Sequence, residues 1–194
     1  AIHAKGLVHR DVKPGNLLRT PEGMVKIADL GLVRGEALPS LSYTGQILGT
    51  PLHMSPEQAL SRSDVDHRAD VYSLGATLYH LVAGRPPFTA DSSLQILQAH
   101  VTRDPVPLAE FRPDVPPALW AVVRKMMAKQ PEDRFPDMEA VASALLLESG
   151  PGRRPGQGAR GRSSTIRRVG RPSRLRWVVA AGLAAALAGG FLLA

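Results

Sequence analysis

The segment from Asp70 to Ala83 is apolar on most of its sides, because Val71, Leu74, Ala76, Leu78, Leu81 and Val82 do not fall on one helical stripe. A surface helix has one stripe to hide, so a helix of this kind has to be enclosed by others. It stops at Gly84, ahead of Pro86 and Pro87, as a helix with a glycine cap does. The helices needed to enclose it follow in the chain. Leu119, Val122, Val123, Met126 and Met127 repeat at i, i+3, i+4, i+7 and i+8 after Pro116 and Pro117, and Met138, Val141, Ala142, Leu145 and Leu146 repeat the pattern. Asp91 or Ser92 caps a further helix running to about Val101, with Leu94, Ile96, Leu97 and Val101 as its expected apolar face. Strand-like runs are few. Leu17-Leu18 and Val25-Lys26-Ile27 flank a turn at Pro21 to Gly23 and read as a short hairpin. The predicted class is α+β, a mainly helical lobe bearing a small β element.

Composition divides the chain near Gly150. All 17 acids and 15 of the 24 bases precede it, so the first 150 residues carry a net −2 and the remainder +9. The basic pI therefore describes a tail. The absence of Cys excludes a disulfide scaffold, a thiolate zinc site and a cysteine nucleophile. Residues 149–176 are rich in Gly, Pro, Ser and Arg and poor in apolar side chains, the composition of a disordered linker. Residues 177–194 contain no charge and, as a helix of about 27 Å, approach one bilayer core of about 30 Å. A buried or interfacial helix would read the same way. Arg174 and Arg176 against Trp177 favour a single transmembrane helix, and the nine arginines before it place the lobe in the cytoplasm.

The most specific motif is His9-Arg10-Asp11-Val12-Lys13-Pro14-Gly15-Asn16, with Asp29-Leu30-Gly31 on the far side of the hairpin. Its six specified positions arise by chance on the order of once in tens of millions of windows. In these residues the chain resembles the bacterial eukaryotic-like (Hanks-type), membrane-anchored Ser/Thr protein kinases. The resemblance implies transfer of the ATP γ-phosphate to Ser or Thr hydroxyls of proteins, with Mg²⁺ or Mn²⁺. By the same resemblance Asp11 accepts or orients the hydroxyl proton and Lys13 neutralises the transferring phosphoryl group. Asn16 and Asp29 offer oxygen to the metal ions, and Leu18 forms the apolar floor beneath adenine. His9 is expected to be a packed structural residue. Asp29-Leu30-Gly31 has Leu where the family commonly has Phe.

Residues between Asp29 and Glu57 resemble the activation segment, a long stretch without sustained periodicity. Thr50 resembles the residue that bonds the catalytic Asp and Lys, and Ser42 and Thr44 fall where relatives are phosphorylated, which would let a phosphate pair with Arg10. Without the resemblance, ordinary loop solvation is the reading that Ser40, Ser42 and Thr44 favour. His53 stands where an aromatic residue is usual. Glu57 resembles a carboxylate that pairs with a distant arginine, here Arg134, and Asp70 one that accepts backbone N–H bonds from the loop around His9 and Arg10. These last residues are structural by role.

The resemblance covers residues 1 to about 148 and corresponds to the C-terminal lobe alone. The expected organisation is thus kinase C-lobe over 1–148, juxtamembrane linker over 149–176 and membrane helix over 177–194. Neither a glycine-rich loop nor a VAIK-type lysine stands in these 194 residues, so the isolated chain is expected to transfer phosphate negligibly. A non-catalytic, membrane-tethered binding module is the alternative. Expected partners are protein substrates, anionic lipid headgroups around the arginines and, through Gly182, Ala186 and Gly190, a second copy of the chain. Nucleic acid is not expected, since the linker has no aromatic residue before Trp177.

Overall fold

The computed structural model describes residues 2–21, 24–28 and 51–149. A 3₁₀ turn at His3–Lys5 leads through a loop and a second turn, Pro14–Asn16, into an antiparallel hairpin of β1 (Leu17–Arg19) and β2 (Val25–Ile27). Leu17 pairs with Ile27, Leu18 with Lys26 and Arg19 with Val25. The helices are α1 (Pro56–Ala59), α2 (Arg68–Ala83), α3 (Ser93–Thr102), α4 (Leu108–Phe111), α5 (Pro117–Met126) and α6 (Met138–Ser149).

Helix α2 is the axis of the lobe. Every residue from Ala69 to Tyr79 is buried, and the helix packs on α5 and α4 while α5 packs in turn on α6. Gly84 closes it at φ 76°, a conformation that residues with a Cβ adopt only at a cost, and donates its N–H to the His80 carbonyl at 2.9 Å. Gly75 has another task. A Cβ there would stand 2.8 Å from Met126 Cβ and 3.0 Å from Met127 Cγ, so the missing side chain lets α2 and the end of α5 touch. Leu119, Val122, Val123, Met126 and Met127 all face this seam and are buried.

Two expected apolar faces differ in the structure. On α3 the buried positions are Ile96, Ala99 and His100, while Leu94 is 72% exposed. Leu94 and Ile96 stand about 200° apart around a helix, at about 100° per residue, and cannot share a face. The face containing His100 turns inward, where its Nδ1 shares a hydrogen bond with the Tyr72 hydroxyl at 2.9 Å inside the core. On α6, Met138, Val141, Ala142 and Leu145 are buried, but Leu146 lies beyond the stripe and is exposed. Among the described residues no helix is long and apolar enough to cross a membrane. The expected linker over 149–176 begins one residue too early, since Ser149 still belongs to α6; residues 150–176 and the expected span over 177–194 lie outside the described residues.

Candidate active site

The site is built where the loop before β1 crosses the N-terminal end of α2. Asp70, in the first turn of that helix and 1% exposed, receives the backbone N–H of His9 on Oδ2 and that of Arg10 on Oδ1, both at 2.8 Å. A buried carboxylate is tolerable only with such donors, and the helix N-terminus adds favourable partial charge. Arg10 has φ 66°, a left-handed conformation in a residue with a Cβ, which on its own costs on the order of 1–3 kcal/mol. The Arg10 carbonyl also accepts from Gln58 Nε2 at 3.0 Å, so both sides of the strained residue are held by side chains from distant elements. One step further, the Val12 carbonyl accepts from Thr77 Oγ1 at 3.1 Å and its side chain is buried.

With its neighbours clamped, Asp11 projects into a polar cluster. Lys13 Nζ lies 2.6 Å from Asp11 Oδ2, and Asn16 Nδ2 donates to the same oxygen at 2.9 Å and to the Asp11 carbonyl at 2.8 Å. The turn Pro14–Asn16, closed by the Asn16 N–H on the Lys13 carbonyl, is what folds Asn16 back onto Asp11. Since the Asn16 amide nitrogen serves Asp11, its oxygen is the group left to face a cation. Asp11 remains partly exposed. His9 is buried and packed, its Nδ1 accepting the Asp11 N–H at 3.3 Å. Leu18 is 56% exposed, on the opposite face of β1 from the half-buried Leu17. Asp29, Ser42, Thr44 and Thr50 lie outside the described residues.

Glu57 and Arg134 meet across 77 residues as a buried bidentate pair, Nη1 to Oε1 at 2.6 Å and Nη2 to Oε2 at 2.8 Å. Arg134 spends its other donors on the Ala128, Arg68 and Lys129 carbonyls, and its guanidinium lies 5.0 Å from the Tyr72 ring centre. Every guanidinium direction is thus used, which is the condition under which a buried ion pair is tolerated. The pair fixes α1 against α2 and the turn Pro131–Asp133.

Several contributors escape a reading of the sequence. Gln58 closes a reciprocal capping box with Ser55, a pattern that the Ser-x-x-Gln spacing does signal. His53 stacks on His80, centroids 5.3 Å apart and planes 8° from parallel, with Nε2 and Nδ1 at 3.0 Å. Burial first, and then His80, hold His53 down at about 4 despite the opposing pull of Asp11, so it is neutral at pH 7. His3 reaches Asp70 Oδ2 at 2.7 Å. Nothing in the residue spacing signals either histidine contact.

Residues 1–146, which include the loop that presents Asp11, Lys13 and Asn16 together, match the protein kinase domain family. The chain belongs to the protein kinase family. It is 44% identical over 146 residues to the serine/threonine-protein kinase PksC of Streptomyces coelicolor, covering 74% of this chain and 26% of that protein. It is 45% identical over 155 residues to the serine/threonine-protein kinase PknL of Mycobacterium tuberculosis, covering 76% of this chain and 38% of the relative. With the serine/threonine-protein kinase PknB of Mycolicibacterium smegmatis it shares 44% over 146 residues, 74% of this chain and 23% of that one. The chain thus spans between about a quarter and two fifths of the length of these curated relatives.

Proposed function

We propose that the chain is the catalytic-loop lobe of a Ser/Thr protein kinase of the bacterial Hanks type, which transfers the γ-phosphate of ATP to protein Ser and Thr hydroxyls. The observation that carries this reading is the convergence of Lys13 and Asn16 on the partly exposed carboxylate of Asp11, at 2.6 and 2.9 Å. In the reaction Asp11 accepts a hydrogen bond from the incoming hydroxyl and orients its lone pair toward phosphorus. Lys13, shared between Asp11 and the entering phosphoryl oxygens, keeps the two negative groups close together. Asn16 holds Asp11 in place through the two hydrogen bonds of its amide nitrogen, which leaves its amide oxygen for a metal ion. Hard oxygen donors of this kind fit Mg²⁺ and not a thiophilic metal, and Asn16 with Asp29 would hold it. When bound, the ion supplies charge neutralisation to the ATP phosphates.

The proposal extends to place. Residues 177–194, with Arg174 and Arg176 against Trp177, support a single-pass anchor in the cell membrane with the lobe on the cytoplasmic side and the arginines among anionic headgroups. Resistance of the native protein to alkaline carbonate extraction checks this, and release into the soluble fraction overturns it.

The deciding experiment recovers the native protein with an antibody against residues 51–146 and follows transfer of labelled γ-phosphate to casein. Label should appear on Ser and Thr, require Mg²⁺, and fall by about three orders of magnitude with Asp11→Asn. A rate indifferent to Asp11→Asn would leave the alternative, a lobe that binds partners without catalysis.

A further inference from the structure

Three peptide planes lead into Asp11, and they are held from two sides. Asp70 takes the N–H groups of His9 and Arg10, which fixes the planes on either side of His9. The plane between Arg10 and Asp11 gives Asp70 nothing to hold: its carbonyl accepts from Gln58 Nε2 at 3.0 Å and its N–H donates to His9 Nδ1 at 3.3 Å. This plane sets ψ of Arg10, a residue already at φ 66°, and φ of Asp11, so its rotation turns the Asp11 side chain directly. Of its two bonds the one to Gln58 is the shorter, and it arrives from 48 residues away, in α1.

The Gln58 amide has one orientation open to it. Its Oε1 accepts from the Ser55 N–H at 3.2 Å and from the Ser55 hydroxyl at 3.0 Å, so the N–H₂ half faces Arg10. Turned over, the amide would set N–H₂ against the Ser55 N–H and oxygen against the Arg10 carbonyl. Both residues are buried, so a broken bond here leaves polar atoms without a substitute. The place of α1 is set in turn by the neighbouring Glu57, whose carboxylate is forked onto Arg134. Gln58 therefore reaches Arg10 from a helix that is clamped one residue away.

We propose that Gln58 is a positioning residue of the catalytic loop: by holding the Arg10 carbonyl it fixes the peptide plane ahead of Asp11, and it makes the aim of that carboxylate depend on the seating of α1. The part played by Asp11 in phosphoryl transfer rests on the kinase reading; the link from α1 to the Arg10–Asp11 peptide does not. Asp70 cannot stand in for Gln58, because its oxygens act on N–H groups upstream of this plane. With the Arg10 carbonyl released, the left-handed conformation of Arg10 loses one of the contacts that over-determine it. The plane then turns, and Asp11 swings away from Lys13 Nζ and Asn16 Nδ2. Because α1 begins where the stretch resembling the activation segment ends, a shift at that end reaches the loop through this amide.

The test follows amide hydrogen exchange in the 194-residue chain carrying Gln58→Met or Gln58→Glu, with the activity of the native protein as a second readout. Met fills a similar space and offers no donor. Glu keeps the acceptor that caps α1 from Ser55 and, ionised at pH 8, has no N–H for Arg10. In both variants the Asp11 amide should exchange about tenfold faster or more, while amides of α5 stay within about threefold of the parent. In the native kinase both changes should lower kcat about tenfold and leave KM for ATP within about twofold. An unchanged Asp11 amide in both variants, or equal acceleration there and in α5, overturns the proposal, the second result meaning that Gln58 only stabilises the fold. Acceleration with Met and none with Glu overturns it too, since the cap and not the bond to Arg10 would then be responsible. Absence of phosphoryl transfer in the parent protein would sink the kinase reading and leave the exchange comparison to decide the role of Gln58.

Discussion

Two buried carboxylates organise this lobe, and they are satisfied by opposite kinds of donor. Glu57 receives one guanidinium, in a fork that is complete in itself and joins two elements 77 residues apart. Asp70 receives two backbone amides and an imidazole, and what it fixes is the path of the chain through Arg10 at φ 66°. A side-chain pair can add stability without altering local geometry, because flexible side chains reach each other from ordinary backbone. A carboxylate that binds successive peptide N–H groups imposes a shape, because those groups move only if φ and ψ move. Glu57 is therefore a fastener, and Asp70 is closer to a mould for the catalytic loop.

The largest expected effect tests the fastener. Glu57→Ala leaves a buried guanidinium without its counter-charge and should destabilise the lobe by about 3–5 kcal/mol in urea unfolding. If the pair is the reason, Glu57→Ala with Arg134→Met should be less harmful than the sum of the two single changes, and strict additivity would break the comparison.

Acid probes a third kind of burial. His53 and His100 are held at about 4 and about 3, chiefly by burial, against 6.5 for the free side chain. The unfolded chain binds these protons first, so the neutral histidines' contribution is present above pH 6.5 and is lost as the pH falls from 6.5 toward 4. The loss by pH 4.5 should be on the order of 2 kcal/mol for each histidine, and His100→Asn should flatten that part of the curve. A stability independent of pH between 7 and 4.5 would mean that these rings are wetter than their packing shows.

Asp70→Asn sharpens the mould. It keeps an acceptor for one amide and turns an N–H₂ toward the other, so about 1–3 kcal/mol should be lost, with the change in exchange concentrated at His9 and Arg10. Spread evenly over α2 and α5, the same loss would make Asp70 a fastener too. The smallest effect is a control: Leu94→Gln, on the 72% exposed position of α3, should stay within about 0.5 kcal/mol.

Local pattern was enough for much of this. The enclosed helix around Leu74, its glycine stop at Gly84 and the stripe from Leu119 to Met127 are all written within a few turns of chain, where periodicity dictates which residues share a face. Asp11, Lys13 and Asn16 were picked out by resemblance to a family, and their convergence on one carboxylate oxygen came from the fold. Resemblance to a family directed attention to Glu57, Asp70 and Arg134; their distances and remaining donors came from the fold. Tertiary structure alone decided which side of α3 is buried, since Ile96, Ala99 and His100 win over Leu94 through a partner on another helix, Tyr72. It also decided the left-handed Arg10, the Gln58 contact to the Arg10 carbonyl, the His53–His80 stack and the reach of His3 to Asp70. Each of these joins groups that no helical or strand period relates. A periodic pattern reports which face of an element avoids water, and only packing settles which distant polar atoms that face will meet.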